Sequence, residues 1–185
     1  IKLGLADAYK ALDASAPEFY LGGVTIAERH AKKGDEHTRL LHKTEQGCQY
    51  FVTQAVYNAQ ATIDMLSRYA HACQQNQQQP QRIILTFSPC GSAKTLEFIE
   101  WLGISVPEAT SLRILNADKP LKESILICYN NLLQILEAVL PLGIPLGLNI
   151  ESLTNRKEEI DAAILLYKLL KATMDKKLAQ LQLNS

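Results

Sequence analysis

Charged side chains that could contact an anionic ligand cluster in the first third of the sequence. Glu36, Arg39 and Lys43 recur at spacings of three and four residues, which places them on one stripe of a helix predicted over 36–46. Arginine can bind a phosphate through two hydrogen bonds, whereas lysine offers a point charge. The stripe therefore fits either a solvated helix face with weak ion pairs or a contact for an anionic group on a ligand.

Glu28 and His30 precede this stripe, and both carry side chains suited to general acid–base work. Together with His37 and His42 they could imitate a metal cluster. His37 and His42 lie five residues apart and so point to different sides of a helix, and the sequence contains no HExxH motif. We therefore expect no metal site.

Amide and hydroxyl side chains follow apolar runs farther along the chain. Gln54 ends such a run, and because a buried amide needs partners, it fits either a structural network or a ligand contact. Its side chain can both donate and accept hydrogen bonds, which suits an amide-containing ring such as a pterin or a flavin. Ser92 closes the loop SPCGS, which we expect to bind ligand through backbone N–H groups, and Asn149 leaves the last run together with Glu151. A nucleophilic role for Cys90 in that loop is not expected, because the sequence fixes no His or Lys beside the thiol.

Four short apolar runs without strict alternation are typical of parallel strands that are covered on both faces. The strands are predicted over 20–26, 49–54, 82–87 and 145–150. Helical patterns fill the gaps between them, over 36–46, 58–73, 93–102, a short segment from 107, a longer one from 120 to about 140, and 158–178. Asn58 is predicted to cap the second of these helices, and Pro107 and Pro120 are predicted as first helical positions.

Strand starts that recur about every 30 residues are the pattern of βαβ units with right-handed crossovers. The sequence therefore predicts an α/β fold of the (β/α)8 TIM-barrel type. A complete barrel needs about 250 residues, and this chain of 185 residues has strands for about half of one. We expect one domain over 1–185 that holds the last four βα units, with the polar side chains gathered at the carboxyl ends of the strands.

The amino-acid composition argues against two classes of binding partner, nucleic acids and membranes. Nineteen basic and 19 acidic residues balance to a formal charge of zero, which argues against a nucleic-acid surface. No uninterrupted apolar run approaches the ~20 residues that span a bilayer, and no signal peptide opens the sequence, so neither a membrane partner nor secretion is expected. Four scattered cysteines without a CxxC pattern predict reduced, buried thiols and a cytoplasmic protein.

The order of several short segments resembles the methylenetetrahydrofolate reductase family, from about residue 20 to residue 171. The segments that carry the resemblance are GGV at 22–24, ERH at 28–30, the stretch 36–43, TQ at 53–54, the stretch 82–92 and the stretch 143–152. Enzymes of that family are (β/α)8 barrels that reduce 5,10-methylenetetrahydrofolate to 5-methyltetrahydrofolate, usually through FAD with NAD(P)H as the hydride donor. The resemblance therefore implies an oxidoreductase of one-carbon metabolism with a folate substrate.

The resemblance also implies roles for single residues. The residues expected to contact the folate are Gln54, Ser92 and Asn149, and those expected to contact the cofactor are Glu28, His30, Glu36, Arg39 and Lys43. The chain departs from the family at Ile26-Ala27, where a Tyr-Pro is usual, and at Ala93, where an aromatic residue packs on folate. These departures are similar to a divergent subgroup, some of whose members work without flavin. Transfer through FAD and direct transfer from NAD(P)H both stay open, and the family's general acid is expected outside this chain.

A second interpretation belongs to another class of protein. Four strands with unpaired edges tend to associate, so the chain could be a folate- or flavin-binding accessory half-barrel without chemistry of its own. It would then pair with a missing N-terminal segment, with another chain or with a second copy of itself as a homo-oligomer.

Overall fold

The computed structural model describes residues 19–184, so residues 1–18 and 185 of the expected domain lie outside the described part. Strands and helices alternate along the chain. The elements are β1 (Gly22–Thr25), α1 (Ala27–Lys33), α2 (Glu36–Glu45), β2 (Tyr50–Ala55), α3 (Ala59–Gln75), β3 (Arg82–Phe87), α4 (Ala93–Trp101), α5 (Glu108–Leu115), α6 (Pro120–Val139), β4 (Leu146–Ile150) and α7 (Lys157–Asn184). A 3-10 turn at Leu140–Leu142 follows α6.

The four strands form one parallel sheet in the order β1-β2-β3-β4. The four predicted strands and their parallel direction are therefore confirmed. Because each crossover between neighbouring parallel strands is right-handed, a sequential order places the connecting helices on one face of the sheet.

The main core lies between that face and the helices. Phe51 and Leu85 from the sheet are fully buried and belong to one cluster with Leu66 of α3, Leu132 of α6 and Leu166 of α7. Residues at alternate positions of a strand point to opposite faces, so the burial of every second residue in β2 follows from this one-sided cover.

The opposite face of the sheet is more open. Val24 of β1 is 55% exposed, and Tyr20, just before that strand, is 68% exposed and stacks on Tyr50 of β2. Val52 and Ile84 on the same face are half-buried. The four-stranded sheet is thus covered on one side by helices and largely uncovered on the other, within residues 19–184.

Most helices begin at the residues predicted from the sequence. The Asn58 side chain accepts a hydrogen bond from the N–H of Ala61 at 3.1 Å and caps α3, as predicted, and Pro120 is the first residue of α6. The expectation for Pro107 is wrong by one residue, because it occupies the N-cap of α5 rather than the first helical position. The seven-residue helix α1 has no counterpart among the predicted elements, because one charged turn carries no apolar periodicity.

The segment Pro120–Leu142 is the one helix of the described residues whose length and mean hydropathy would allow it to cross a membrane. Part of it is buried in the fold, with 44% of its apolar window inside the protein. Cys128, Leu132 and Ile135 lie in the main core. A core helix has the same length and composition as a membrane span, so these properties alone are weak evidence for a membrane.

Candidate functional site at the carboxyl edge of the sheet

The carboxyl ends of the four parallel strands lie along one edge of the sheet, and each delivers a polar side chain there. These residues are Thr25 in β1, Gln54 in β2, Thr86 in β3 and Asn149 in β4. Thr86 and Asn149 are register partners, so their side chains share a face. The structure therefore brings Gln54 and Asn149, both predicted from sequence, to the same edge.

Gln54 lies where the pairing of β2 with β3 is irregular. The register shifts between Val52 and Ala55, and the Thr53 hydroxyl accepts the hydrogen bond of the Thr86 N–H at 2.9 Å. Extra residues in one strand bend it and re-aim its side chains, and such irregularities are common beside active sites. The Oε1 atom of Gln54 is buried and has no hydrogen-bond partner among the described residues. Since buried polar atoms are nearly always paired, this oxygen is an acceptor available to a ligand.

Asn149 is anchored by its amide nitrogen. The nitrogen donates to the Thr86 hydroxyl at 3.3 Å and to the Glu151 carboxylate at 2.7 Å. These two bonds fix which end of the amide is the oxygen, and they leave that oxygen as an acceptor next to the sheet edge.

Ser92, the third predicted folate contact, has a structural role at the start of α4. Its hydroxyl accepts a hydrogen bond from the Thr95 N–H at 3.2 Å and bonds the Thr95 hydroxyl at 2.9 Å, so it caps α4. A cap satisfies one of the free N–H groups of the first helical turn. Ser92 therefore orients the loop beside the sheet edge, and its contact with a folate stays a prediction.

A buried carboxylate that sequence reasoning missed lies beside this loop. Glu159, at the start of α7, is 2% exposed and accepts hydrogen bonds from the hydroxyls of Thr95 at 2.8 Å and Thr154 at 2.5 Å. It joins the starts of α4 and α7 across 64 residues of sequence. No local pattern signals the bond with Thr95, because that hydroxyl comes from a distant segment of the chain.

Behind the third strand end lies a second, smaller apolar cluster that includes Ala55, Tyr57 and Cys90. The Tyr57 hydroxyl donates to the Ser88 carbonyl at 2.8 Å, and burial raises the tyrosine pKa well above its ordinary value. Burial also raises the pKa of the Cys90 thiol to about 11 and that of Cys128 to about 12. A thiol with a raised pKa is a poor nucleophile, which agrees with the sequence-based view of Cys90.

Glu36 lies inside the protein rather than on a solvated stripe. It is fully buried, and its Oε1 accepts from the Ile26 N–H at 3.1 Å and the Thr25 hydroxyl at 3.3 Å. Its Oε2 accepts from the Arg29 guanidinium at 3.1 Å. The carboxylate thereby joins the end of β1, the start of α1 and the start of α2, and its oxygens already have partners.

Arg39 and Lys43 remain on the surface of α2. The Arg39 guanidinium contacts Asp35 at 3.3 Å, with Glu36 at 4.0 Å. The Lys43 ammonium donates to the backbone carbonyl of Val24. The three stripe residues therefore differ in environment, because Glu36 is buried, Arg39 is exposed and Lys43 is half-buried.

Glu28 and His30 diverge on α1. Glu28 is half-buried, and desolvation raises its pKa, against smaller lowering effects of a backbone hydrogen bond and of Lys32. His30 packs edge-on against the His37 ring at 5.3 Å and lines a cleft between α1 and α3. The cofactor contacts assigned to Glu28, His30, Glu36, Arg39 and Lys43 are therefore not gathered on one surface, and they stay predictions.

Comparison with known proteins gives an informative similarity to a solved structure. No protein-family model matches the chain, and no curated protein sequence matches it. A solved structure with a TM-score of 0.80 and 45% sequence identity covers 91% of this chain. It is described as an uncharacterized protein from Clostridium thermocellum that binds two copies of 5-methyl-5,6,7,8-tetrahydrofolic acid. The present chain spans 59% of the length of that protein.

Proposed function

We propose that this chain binds a reduced folate at the carboxyl edge of its sheet. This proposal rests mainly on the 45% identity, over 91% of the chain, to a protein described as binding 5-methyltetrahydrofolate. The unpaired, buried oxygen of Gln54 supports the same site, because a pterin ring offers N–H donors that such an acceptor needs. The free oxygen of Asn149, held by its bonds to Thr86 and Glu151, supplies a second acceptor along the edge.

Binding of 5-methyltetrahydrofolate tests this proposal directly. Calorimetric titration of the purified chain should give saturable binding, and Gln54→Ala should weaken it about 5- to 150-fold, which corresponds to about 1–3 kcal/mol for a buried hydrogen bond. Gln75→Ala is the matched control, because the exposed Gln75 side chain contacts His71 at the last turn of α3, on the side of the amino ends of the strands. Equal affinities in wild type and Gln54→Ala would refute the site, and absence of binding in the wild type would refute folate binding by this chain.

We propose further that the complete protein is an oxidoreductase of the methylenetetrahydrofolate reductase type. A hydride from NAD(P)H adds to the one-carbon bridge, the bond from that carbon to N10 breaks, and one proton is taken up at N10. The products are 5-methyltetrahydrofolate and NAD(P)+, so atoms and charge balance. Support comes from the ligand of the similar protein, which is the product of this reaction. Gln54 and Asn149 orient the pterin in this scheme, and the acid lies outside the present chain.

The residues assigned to a flavin do not fit one. Glu36 has partners on both oxygens, the Lys43 ammonium is bound to the Val24 carbonyl, and His30 lines a cleft in the helix layer. We therefore propose that the hydride passes directly from the nicotinamide to the folate, without FAD. A visible absorption spectrum of the purified protein tests for flavin, and loss of NAD(P)H absorbance on addition of 5,10-methylenetetrahydrofolate tests for transfer.

We also propose that the four strands are half of a (β/α)8 barrel whose inner face is the open face of the sheet. The sequential parallel order, the one-sided helix cover and the 55% exposure of Val24 support this arrangement. The similar protein is longer than this chain. Additional residues or a second copy of the chain would supply the remaining strands of the barrel. The four free cysteines support a reducing compartment such as the cytoplasm.

An accessory, non-catalytic folate-binding role is the second candidate. It is favoured by the positions of the predicted contacts, because Gln54 and Asn149 lie along one edge of the sheet, whereas the Lys43 ammonium is bound to the Val24 carbonyl and His30 lines a cleft of the helix layer. Folate binding without NAD(P)H oxidation by the complete protein would select this role over the reductase.

A further inference from the structure

A cleft of about 520 Å3 lies between α1 and α3, on the helix layer and apart from the sheet edge. Its polar lining comes from His30, Asp64, Ser67 and Arg68. A neighbouring cleft of about 450 Å3 shares Ser67 and Arg68 and adds histidines of α2 and α3. Arg68 is therefore at the centre of a continuous polar groove.

The guanidinium of Arg68 is available to a ligand. No ion pair involves it among the described residues, although Asp64 lies one helical turn earlier on α3. Asp64 instead accepts a hydrogen bond from the Gln60 amide at 2.8 Å. An exposed, unpaired arginine presents its donors in a fixed fork that matches a carboxylate or a phosphate.

His30 supplies a second, independent sign of a ligand. Its side chain is 6% exposed, and its Nδ1 is buried without a partner. Within residues 19–184 its Nε2 makes no hydrogen bond either. A ring nitrogen that is buried without a partner is costly unless something supplies the missing bond.

We propose that this cleft binds a small oxyanion between the Arg68 guanidinium and the His30 imidazole, with the Ser67 hydroxyl as a further donor. A metal ion fits less well, because the described residues contain no group of three His, Cys, Asp or Glu side chains arranged to hold one. The site is separate from the proposed folate site and does not depend on it. The Asp64 carboxylate at the rim repels an anion and so limits its affinity.

Binding at this cleft should strengthen as the pH falls. The pKa of His30 is lowered by burial first, then by the nearby His37 and Arg68, against the raising effect of Asp64 and Glu36. A bound anion favours the imidazolium, so by linkage protonation of His30 and anion binding promote each other. The groups named here come from α1, α2 and α3, which surround the ring.

Titration of the chain with inorganic phosphate, and separately with acetate, tests the proposal. At pH 6, Arg68→Gln should weaken binding by about tenfold or more, and Arg68→Lys by less, because lysine keeps the charge but loses the fork. Asp64→Asn should tighten binding. Arg113→Gln is the control, since Arg113 pairs with Glu123 elsewhere at 2.5 Å. The anion bound more tightly identifies whether phosphate or carboxylate is the natural chemistry.

Histidine NMR shifts locate the site, because the His30 ring resonances should move with saturation and its pKa should rise when the anion is bound. Three outcomes would overturn the proposal: no binding of either anion at pH 6, equal binding by wild type and Arg68→Gln, or weaker binding by Asp64→Asn. Arg68 and Asp64 are both exposed, so these variants should keep the wild-type circular dichroism spectrum.

Discussion

The buried carboxylate of Glu36 allows a graded test of what holds the end of β1 to the two following helices. Its Oε1 bonds the Thr25 hydroxyl and the Ile26 N–H, and its Oε2 bonds Arg29. In Glu36→Gln the remaining oxygen can keep the first two bonds, whereas the new NH2 group faces another donor. The loss is then one charge-assisted bond, about 1.5–2 kcal/mol; we take the low end because the Arg29 side chain is 32% exposed.

Glu36→Ala removes all three bonds and leaves the Ile26 N–H unpaired inside the protein, while the Thr25 hydroxyl keeps only the sulfur of Met65 as a partner. The lost bonds and the unpaired N–H together give an expected total of about 3–5 kcal/mol. Arg113→Gln is the surface control. It removes a half-exposed pair with Glu123 that does not involve Glu36, which is expected to cost about 0.2–1 kcal/mol.

Urea unfolding followed by circular dichroism measures the free energy of unfolding of each variant. The expected order of increasing destabilisation is Arg113→Gln, then Glu36→Gln, then Glu36→Ala. Should Glu36→Gln cost no more than Arg113→Gln, the carboxylate would not be held as described. Folate affinity in the absence of urea should be the same in Glu36→Gln as in wild type, because Glu36 is not among the predicted folate contacts.

Three further outcomes follow from single side chains. Asn58→Ala should lower the free energy of unfolding by about 1 kcal/mol through loss of the α3 cap, measured by the same urea titration. At pH 8 a thiol reagent should modify Cys48 fast, since it is half-buried, whereas the fully buried Cys73, Cys90 and Cys128, whose pKa values burial raises, should react only after unfolding. Glu28 has a folded pKa raised from 4.5, so its stabilising contribution is present below that value and is lost as the pH rises through the folded pKa. Glu28→Gln should therefore gain stability relative to wild type between pH 4 and pH 7, and equal pH profiles would contradict the assignment.

Local patterns were sufficient to predict most of the fold. The strand over 82–87 has the predicted bounds, and α3 begins after the cap that Asn58 provides. These elements depend on apolar runs, caps and prolines, which act over a few residues. The length of α7, which continues to residue 184 rather than 178, was harder to foresee because its last turns carry no strong periodic apolar pattern.

The site was predictable in part, for a physical reason. Gln54 and Asn149 reach one edge because strand ends in a parallel sheet share an edge, which is a rule of topology. Glu36 was expected at a cofactor because the family resemblance implied that contact, and its spacing to Arg39 was compatible with a surface stripe. Its burial depends on Thr25 and Arg29, which come from other elements, and long-range pairing of this kind leaves no periodic signal in the sequence.

The shifted register between Val52 and Ala55 makes the number of residues in β2 as important as their identity. Deleting Thr53 would restore regular pairing with β3, but it would also remove the hydroxyl that accepts from the Thr86 N–H and the bend that directs Gln54. Homologous sequences that keep this site should therefore keep both the length of this strand and a polar acceptor at position 54. An alignment gap within this strand would mark a relative whose edge is built differently.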